Sequence, residues 1–231
     1  MDVSDMVGAA FLPTDGQASP SDLCQALAKG AKMEGATIIE NCRVTGFEIR
    51  NGKVSSVKTE QGNIECEIAV NCCGIWAREC GRLAGVSVPV QPMQHQYLIT
   101  EPIEGITSDL PTLRDPDRLC YFKEEVGGLV MGGYELNPLV WTPENGIPRD
   151  FHFQLLESDW DQFEDLFVQA AGRVPALENV GIRQLINGPE AFTPDGNFIL
   201  GEAPEVKGYF VGAGFNAYGI AANGGAGKAL W

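Results

Sequence analysis

Histidine is nearly absent: His95 and His152 are the only two, and the chain has no CxxC pair. That leaves no recognisable zinc site. Basic residues are scarce as well, with 16 Lys and Arg against 31 Asp and Glu and a formal net charge of −15. A surface for nucleic acid or for an anionic membrane needs a basic footprint, so the balance rules out nucleic acid and argues against an anionic-membrane surface. The N-terminus carries Asp2, Asp5 and an early Gly-Ala run where a secretory signal would have a basic region and an apolar core. The longest apolar stretch, Tyr209 to Trp231, is interrupted by Asn216, Asn223, Lys228 and six glycines, which makes poor transmembrane material. It reads instead as a buried strand followed by a tightly packed helix. The seven cysteines are an odd number, two of them adjacent at Cys72 and Cys73. Their scatter through apolar segments suits reduced, buried thiols in a cytosol or mitochondrial matrix.

Glycine is what the chain has in excess, 28 of 231 residues, beside an ordinary 44% of apolar residues. Without a Gly-X-Y period or Pro-Ser runs, this signals tight turns and close backbone approaches rather than disorder. Ser19-Pro20-Ser21-Asp22 is a helix start, and the apolar spacing from Leu23 to Ala31 predicts a helix that stops at Gly35. Thr37-Ile38-Ile39 reads as a short buried strand. Arg43 to Arg50 and Lys53 to Thr59 are strand-like runs joined by Asn51-Gly52, a strong hairpin signal. A turn at Gln61-Gly62 leads to Asn63–Glu67, and Ile68 to Asn71 reads as a fully buried strand. A helix follows from about Ile75 to Ala84, stopped by Gly85. This order is α/β in character.

From Val88 the texture changes. Gln94 to Thr100 alternates as a half-buried strand, and Arg118 to Phe122, Gly128 to Tyr134 and Gly181 to Asn187 read as further strands of an antiparallel sheet. Glu157 to Ala171 predicts an amphipathic helix with Trp160, Phe163, Phe167 and Ala170 in its core stripe. Phe198 to Leu200 and Tyr209 to Val211 are predicted strands. No internal repeat or low-complexity linker interrupts this order. The predicted layout is a mixed α/β fold with residues 1–86 in one layer, an inserted antiparallel sheet domain over 87–208, and a return to the first layer over 209–231.

The densest glycine segment, Val211-Gly212-Ala213-Gly214-Phe215-Asn216-Ala217-Tyr218-Gly219-Ile220, runs from a strand through Gly-rich backbone into a helix. Such a junction gathers free N–H groups and the positive end of a helix dipole, which suits a phosphate or the negative edge of a ring cofactor. Glycines placed there for helix–strand packing give the same pattern. Gly212-x-Gly214-x-x-Ala217 meets the dinucleotide pattern literally, but the acidic residue that should follow about 20 positions on has no place before Trp231.

Several motifs together go further than any one. Asn71-Cys72-Cys73-Gly74-Ile75-Trp76-Ala77-Arg78, Gln94-His95-Gln96-Tyr97, Gly132-Gly133-Tyr134-Glu135-Leu136-Asn137-Pro138, Gly188-Pro189-Glu190-Ala191-Phe192-Thr193-Pro194-Asp195 and Gly201 to Val206 occur in that order. The chain resembles, over nearly its whole length, the dimethylglycine and sarcosine dehydrogenases. These are flavoenzymes of the D-amino-acid-oxidase-like superfamily that oxidise N-methyl amines. The family opens with a βαβ unit carrying G-x-G-x-x-G for the FAD pyrophosphate. That unit, the histidine that carries FAD covalently in related dehydrogenases, and the C-terminal folate-binding module of longer relatives have no counterpart here. The resemblance therefore implies an internal piece of a larger flavoprotein, holding an incomplete Rossmann-like FAD-binding domain and binding FAD poorly by itself.

The resemblance also assigns roles. Val44 matches a position on the adenine side of FAD, Gly74 and Trp76 end a strand beside the cofactor, and Gly214, Asn216, Gly219 and Ile220 match the segment along the flavin pyrimidine edge. Trp76 would serve equally as a core aromatic. His95 and Tyr97, at i and i+2, share one face of a strand and are the expected catalytic pair, positioning an amine and setting its protonation state. A structural histidine is the alternative. Tyr134 and Glu135 are expected to line the same cavity; Glu190 and Asp195 flank turns, and His152 is read as structural. A small N-methyl amine is the expected substrate, with oxygen or an electron-transferring flavoprotein as electron acceptor, in a mitochondrial matrix or bacterial cytoplasm. Two other outcomes fit the motifs: a regulatory subunit of the pyruvate dehydrogenase phosphatase type, or an oxidase for a cyclic imino acid or primary amine.

Overall fold

A computed structural model describes residues 1–144 and 146–231. In chain order the elements are α1 (Pro20–Met33), β1 (Val44–Arg50), β2 (Lys53–Thr59), β3 (Gly62–Glu65), β4 (Ala69–Asn71), a 3-10 turn (Gly74–Trp76) and α2 (Ala77–Ala84). There follow β5 (Gln91–Thr100), β6 (Leu113–Asp115), β7 (Cys120–Glu125), β8 (Gly128–Gly133), α3 (Trp160–Arg173) and a second 3-10 turn (Pro175–Asn179). The chain closes with β9 (Ile182–Phe192), β10 (Ile199–Glu202), β11 (Tyr209–Ala213) and α4 (Gly219–Leu230). The fold is mixed α/β with antiparallel sheets, and it groups into two compact units.

One unit comprises Met1–Ala18, Gln94–Leu139 and Asp150–Pro189. Its sheet has the order β6-β7-β8-β5-β9. One face of that sheet is dry: Leu98, Phe122 and Met131 pack with Phe163, Leu166 and Ala170 of α3. α3 starts where the Asp159 side chain accepts from the Gln162 N–H, three residues beyond the predicted start. Its buried stripe is Phe163, Leu166 and Ala170, whereas Trp160 is half exposed on the first turn. β7 begins at Cys120 rather than Arg118. Asp115 Oδ1 accepts from the Asp117 and Arg118 N–H groups at 3.1 and 3.2 Å, which holds those residues in a turn.

The other unit comprises Ser19–Met93, Val140–Arg149 and Glu190–Trp231. Ser19 caps α1 with Pro20 at its first position, as predicted. β1, β2 and β3 form an antiparallel meander, turned at Asn51 and Gly52, whose φ values of 53° and 75° are those of a tight hairpin. A second sheet has the order β10-β11-β4, with β11 and β4 parallel. Tyr209, Val211 and Ala213 of β11 are buried, and Tyr209 stacks edge-on against Phe47 of β1 at 5.1 Å.

Several expectations fail in this unit. Thr37-Ile38-Ile39 forms no strand, and Ile38 and Ile39 are exposed. β4 is a strand, but Ile68 and Val70 beside and within it are exposed rather than buried. α1 and α4 bury no residue, so the C-terminal helix is not tightly packed. Of the seven cysteines only Cys120 is fully buried, while Cys24, Cys72 and Cys73 are exposed. Apolar composition identifies a segment able to be covered; it does not supply the neighbour that covers it.

Candidate functional site

The solvent-side face of the five-stranded sheet carries the first group of candidate residues. Antiparallel pairing sets Tyr97 opposite Gly132, Gly132 opposite Tyr121, and Tyr121 opposite Arg114. Directly paired residues share a face, so Tyr97, Tyr121 and Arg114 stand in one row across β5, β8, β7 and β6 with a glycine between the two phenols. A Cβ at Gly132 would fall 2.6 Å from Tyr121 Cζ and 2.9 Å from Tyr97 Cβ. The glycine is what lets the Tyr121 ring lie over β8 toward Tyr97. Burial pushes the Tyr121 phenol up to about 12, helped by Tyr97 and by the Glu135 carboxylate.

His95 follows two residues before Tyr97 on the same face. Its Nδ1 lies 3.4 Å from Glu135 Oε2, and the Glu135 side chain is 6% exposed. The other carboxylate oxygen accepts from the Gln96 N–H at 3.3 Å, tying β5 to the end of β8. The rings of His95 and Tyr134 are 5.4 Å apart, and Arg114 stands over the far side of this cluster with its guanidinium carbon 5.5 Å from the Tyr134 ring centroid. A carboxylate that accepts a hydrogen bond from Nδ1–H fixes the tautomer and leaves Nε2 as the nitrogen with the available lone pair. His95, Tyr134 and Glu135 thus meet in one cluster. Tyr121 and Arg114 complete the face and were not singled out from the sequence, and Gly132 entered only as part of a motif. The signal for them was the register itself, since Tyr121 alternates with the core residues Cys120 and Phe122.

The other unit holds the remaining candidates. β4 and β11 run parallel with Asn71 opposite Val211, so Cys72–Gly74 and Gly212–Gly214 leave the same ends of neighbouring strands. The carboxyl ends of parallel strands are the common ligand-binding edge of α/β sheets. Gly74 has a φ of 55° with open space where a Cβ would stand, and Trp76 is about one-third exposed. Gly214 has a φ of 67°, and a Cβ there would meet Thr193 and stand 3.2 Å from Val90.

Asn216 and Ala217 follow with φ of 52° and 67°. Left-handed backbone at a non-glycine residue is costly and concentrates at functional sites. The Asn216 amide compensates locally: Nδ2 donates to the Gly214 carbonyl at 2.8 Å, and Oδ1 accepts from the Thr193 N–H at 2.9 Å. The chain then enters α4 at Gly219 and Ile220, both exposed, and Tyr218 supplies no side-chain cap to the first-turn N–H groups. Those donors and the helix dipole suit the electron-rich edge of a planar cofactor. Val44 opens β1 opposite Thr59 and belongs to the meander rather than to this edge. Glu190 and Asp195 act locally, Asp195 accepting from the Asn197 N–H at 3.1 Å. His152 lies in a loop between buried Phe151 and exposed Phe153. A separate cleft of about 580 Å³, lined by Arg78, Arg82, Gln91 and Pro194 among others, contains none of the candidate residues.

A family model described as FAD dependent oxidoreductase matches residues 1–230. The chain belongs to the FAD-dependent oxidoreductase family. It is 43% identical to the mitochondrial sarcosine dehydrogenase of Mus musculus, covering all of this chain and 25% of that protein. It is 41% identical to the mitochondrial pyruvate dehydrogenase phosphatase regulatory subunit of the same organism, over all of this chain and 26% of that one. The chain therefore spans about a quarter of the length of these relatives. Among solved structures, L-proline dehydrogenase from P. horikoshii superposes with a TM-score of 0.78 at 28% identity, over 94% of this chain and 56% of that one. Membership makes FAD the cofactor of the family to which the Gly74 and Gly214–Ile220 edge is to be fitted, and the open Gly74 and uncapped α4 fit a flat, electron-rich ring. No helix among the described residues is long and apolar enough to cross a membrane.

Proposed function

We propose that the protein containing this chain oxidises the N-methyl carbon of a small secondary or tertiary amino acid of the sarcosine or dimethylglycine type. The observation that carries this reading is the His95–Glu135 pair at 3.4 Å, set beside Tyr134 on a face that also bears Tyr97, Tyr121 and Arg114. FAD would be held along Gly74, Trp76, Gly214, Asn216, Gly219 and Ile220, with Val44 on its adenine side, and would supply the two-electron acceptor for the N–CH3 carbon, whose imine product would hydrolyse to formaldehyde and the demethylated amine.

The chain's own residues prepare that step. An ammonium cannot release hydride from its neighbouring carbon, so the amine must first lose its proton. His95, with Nδ1 held by Glu135, accepts it at Nε2. Tyr121 stays protonated as a hydrogen-bond donor, and it and Tyr97 fix the orientation of the substrate. Arg114, with its delocalised cation at the edge of the aromatic cluster, matches the carboxylate that sarcosine and dimethylglycine share. The first-turn N–H groups of α4 would face the electron-rich edge of that cofactor and favour negative charge there. The mitochondrial relatives support a matrix location, with oxygen or an electron-transferring flavoprotein as the electron acceptor.

The test is anaerobic addition of sarcosine or dimethylglycine to the full-length protein while flavin absorbance is followed. Bleaching is expected; unchanged absorbance with both and with other N-methyl amino acids overturns the reading. The second reading is a non-catalytic regulatory subunit, favoured by the 41% identity to the phosphatase regulatory subunit. It predicts a protein without reducible flavin that copurifies with a phosphatase catalytic subunit.

A further inference from the structure

A cleft that the proposed oxidation does not use lies in the unit that also carries the glycine edge. α2 ends at Gly85, whose φ of 76° turns the chain back, and the Val86 N–H donates to the Gly81 carbonyl at 2.9 Å. The returning segment from Val86 to Gln91 then lies against α2. Gly81 permits that approach: a Cβ there would stand 2.6 Å from Val88 Cγ2 and 2.9 Å from the Val86 carbonyl oxygen. Val86, Val88 and Val90 are buried, whereas Ser87 and Pro89 alternate with them and are exposed. This segment, α2 and Pro194 enclose the cleft of about 580 Å³. Small-molecule sites commonly measure about 300–1,000 Å³.

Two arginines stand on the α2 side of the cleft. Arg78 and Arg82 are about one helical turn apart, share a face of α2 and both line the space. Gln91 orients the first of them: Arg78 Nη1 donates to Gln91 Oε1 at 3.1 Å, and Gln91 Nε2 donates to the Pro92 carbonyl at 3.1 Å. A neutral amide does not offset the Arg78 charge. Arg82 is exposed and has no hydrogen bond or ion pair among the described residues. By contrast Arg50, Arg118, Arg173 and Arg183 each pair with a carboxylate in this acidic chain. Glu205 reaches the cleft segment, but its Oε1 accepts from the Ser87 N–H at 3.2 Å.

We propose that this cleft binds a small phosphate monoester, with the phosphate between Arg78 and Arg82 and the organic group against Pro89 and Pro194. Two guanidiniums complement the charge of a phosphate dianion, and their forked N–H groups suit its three terminal oxygens. A single carboxylate fills one fork and leaves the other arginine without an acceptor. The rings of Pro89 and Pro194 give the cleft an apolar wall, which an organic group covers and inorganic phosphate does not. The cleft shares no residue with the edge assigned to the cofactor. The assignment is therefore independent of amine oxidation, and its test reads binding rather than turnover.

The experiment is calorimetric titration of the full-length protein, saturated with FAD, using phenyl phosphate as the probe. Saturable binding at one site is expected. It should be about tenfold tighter than for inorganic phosphate, which lacks the ring, and about tenfold tighter than for the monoanion benzenesulfonate. Arg82→Gln, at an exposed position, should weaken phenyl phosphate about tenfold or more. Gln91→Glu gives Arg78 a carboxylate partner and should weaken the probe by a similar factor, while Arg50→Gln, outside the cleft, should leave it unchanged. Titrations that do not saturate below about 10 mM overturn the proposal. So does undiminished binding to Arg82→Gln, and so does equal affinity for phenyl phosphate and inorganic phosphate.

Discussion

Tyr121 lies across Gly132, occupying the space in which any other residue would carry its side chain. The two residues are register partners, and Gly132 is also the partner of Tyr97, so one missing Cβ joins the two phenols across β8. Gly132→Ala should push the Tyr121 ring away, because the Cβ would sit 2.6 Å from its Cζ and 2.9 Å from Tyr97 Cβ. Overpacking of this kind costs about 1–3 kcal/mol, so the variant should fold with a lowered Tm. Displacing a positioning group by about 1 Å can cost about a hundredfold, and kcat/KM of the full-length flavoprotein for sarcosine should fall by about ten- to a hundredfold. Unchanged kcat/KM with a lowered Tm would remove the Tyr97–Tyr121 row from the site.

The Tyr121 phenol, raised to about 12 chiefly by burial, should remain protonated wherever the enzyme works. A group whose folded value is raised contributes stability that is complete below the unfolded value. For Tyr121 that contribution is present below about pH 10 and is lost as pH climbs toward 12. Following phenolate absorbance with pH should show Tyr121 ionising late, together with buried Tyr209, which is also raised by burial and by Cys80. Tyr121→Phe should abolish one of these two late ionisations. The same variant should lower kcat/KM by about tenfold through loss of one hydrogen bond made in the transition state.

Asn216 holds a left-handed backbone and bridges Gly214 to Thr193 with a single buried amide. Asn216→Ala would leave the Thr193 N–H without its acceptor and place a non-polar residue at a φ that favours asparagine. The two effects together should cost about 2–4 kcal/mol. Asn216→Asp keeps the acceptor but loses the donor to the Gly214 carbonyl, so its loss should be intermediate. Urea denaturation of the three proteins gives the order, and equal stabilities would show that the bridge contributes nothing.

Local signals in the sequence were legible where the structure is local. Ser19-Pro20 starts α1 and Asn51-Gly52 turns the first hairpin, because capping and φ preference act within four residues. The alternation from Gln94 to Thr100 placed His95 and Tyr97 on one face, and the Gly-Gly-Tyr-Glu motif brought Tyr134 and Glu135 to them. Tyr121 and Arg114 were not legible, since their place beside Tyr97 depends on the pairing of four strands across more than 30 residues of chain. Helical period found the stripe of α3 but not its edge: Trp160 shares the spacing of Phe163 yet falls on the exposed first turn. Ile38, Ile39 and Val70 are apolar enough for a core and still exposed, because burial is a property of the neighbour as much as of the residue.

Asp115 and Arg173, 8% and 4% exposed, form an ion pair at 2.6 Å that anchors the N-terminal segment of its unit. Arg173 also donates to the Asp2 carbonyl and to Asp5 Oδ1, and Arg118 donates to Asp5 Oδ2 at 2.9 Å. Burial pushes the Asp115 carboxyl up, but Arg173 and the N–H groups of Arg118 and Asp117 together hold it below its ordinary value of 3.8. A depressed carboxylate gives stability that is present above the unfolded value and is lost as pH falls through the folded one. The chain should therefore lose stability steeply below about pH 4, where Asp115 must take up a proton in the folded state. Asp115→Asn should cost about 3 kcal/mol at neutral pH, because it leaves a buried guanidinium facing an amide. Its cost should shrink as pH falls below 3.8 toward the lowered value at which the natural carboxyl itself becomes neutral. Denaturation curves of both proteins between pH 7 and pH 3 test this directly: converging stabilities are expected, and a constant gap would place the acid-sensitive group elsewhere.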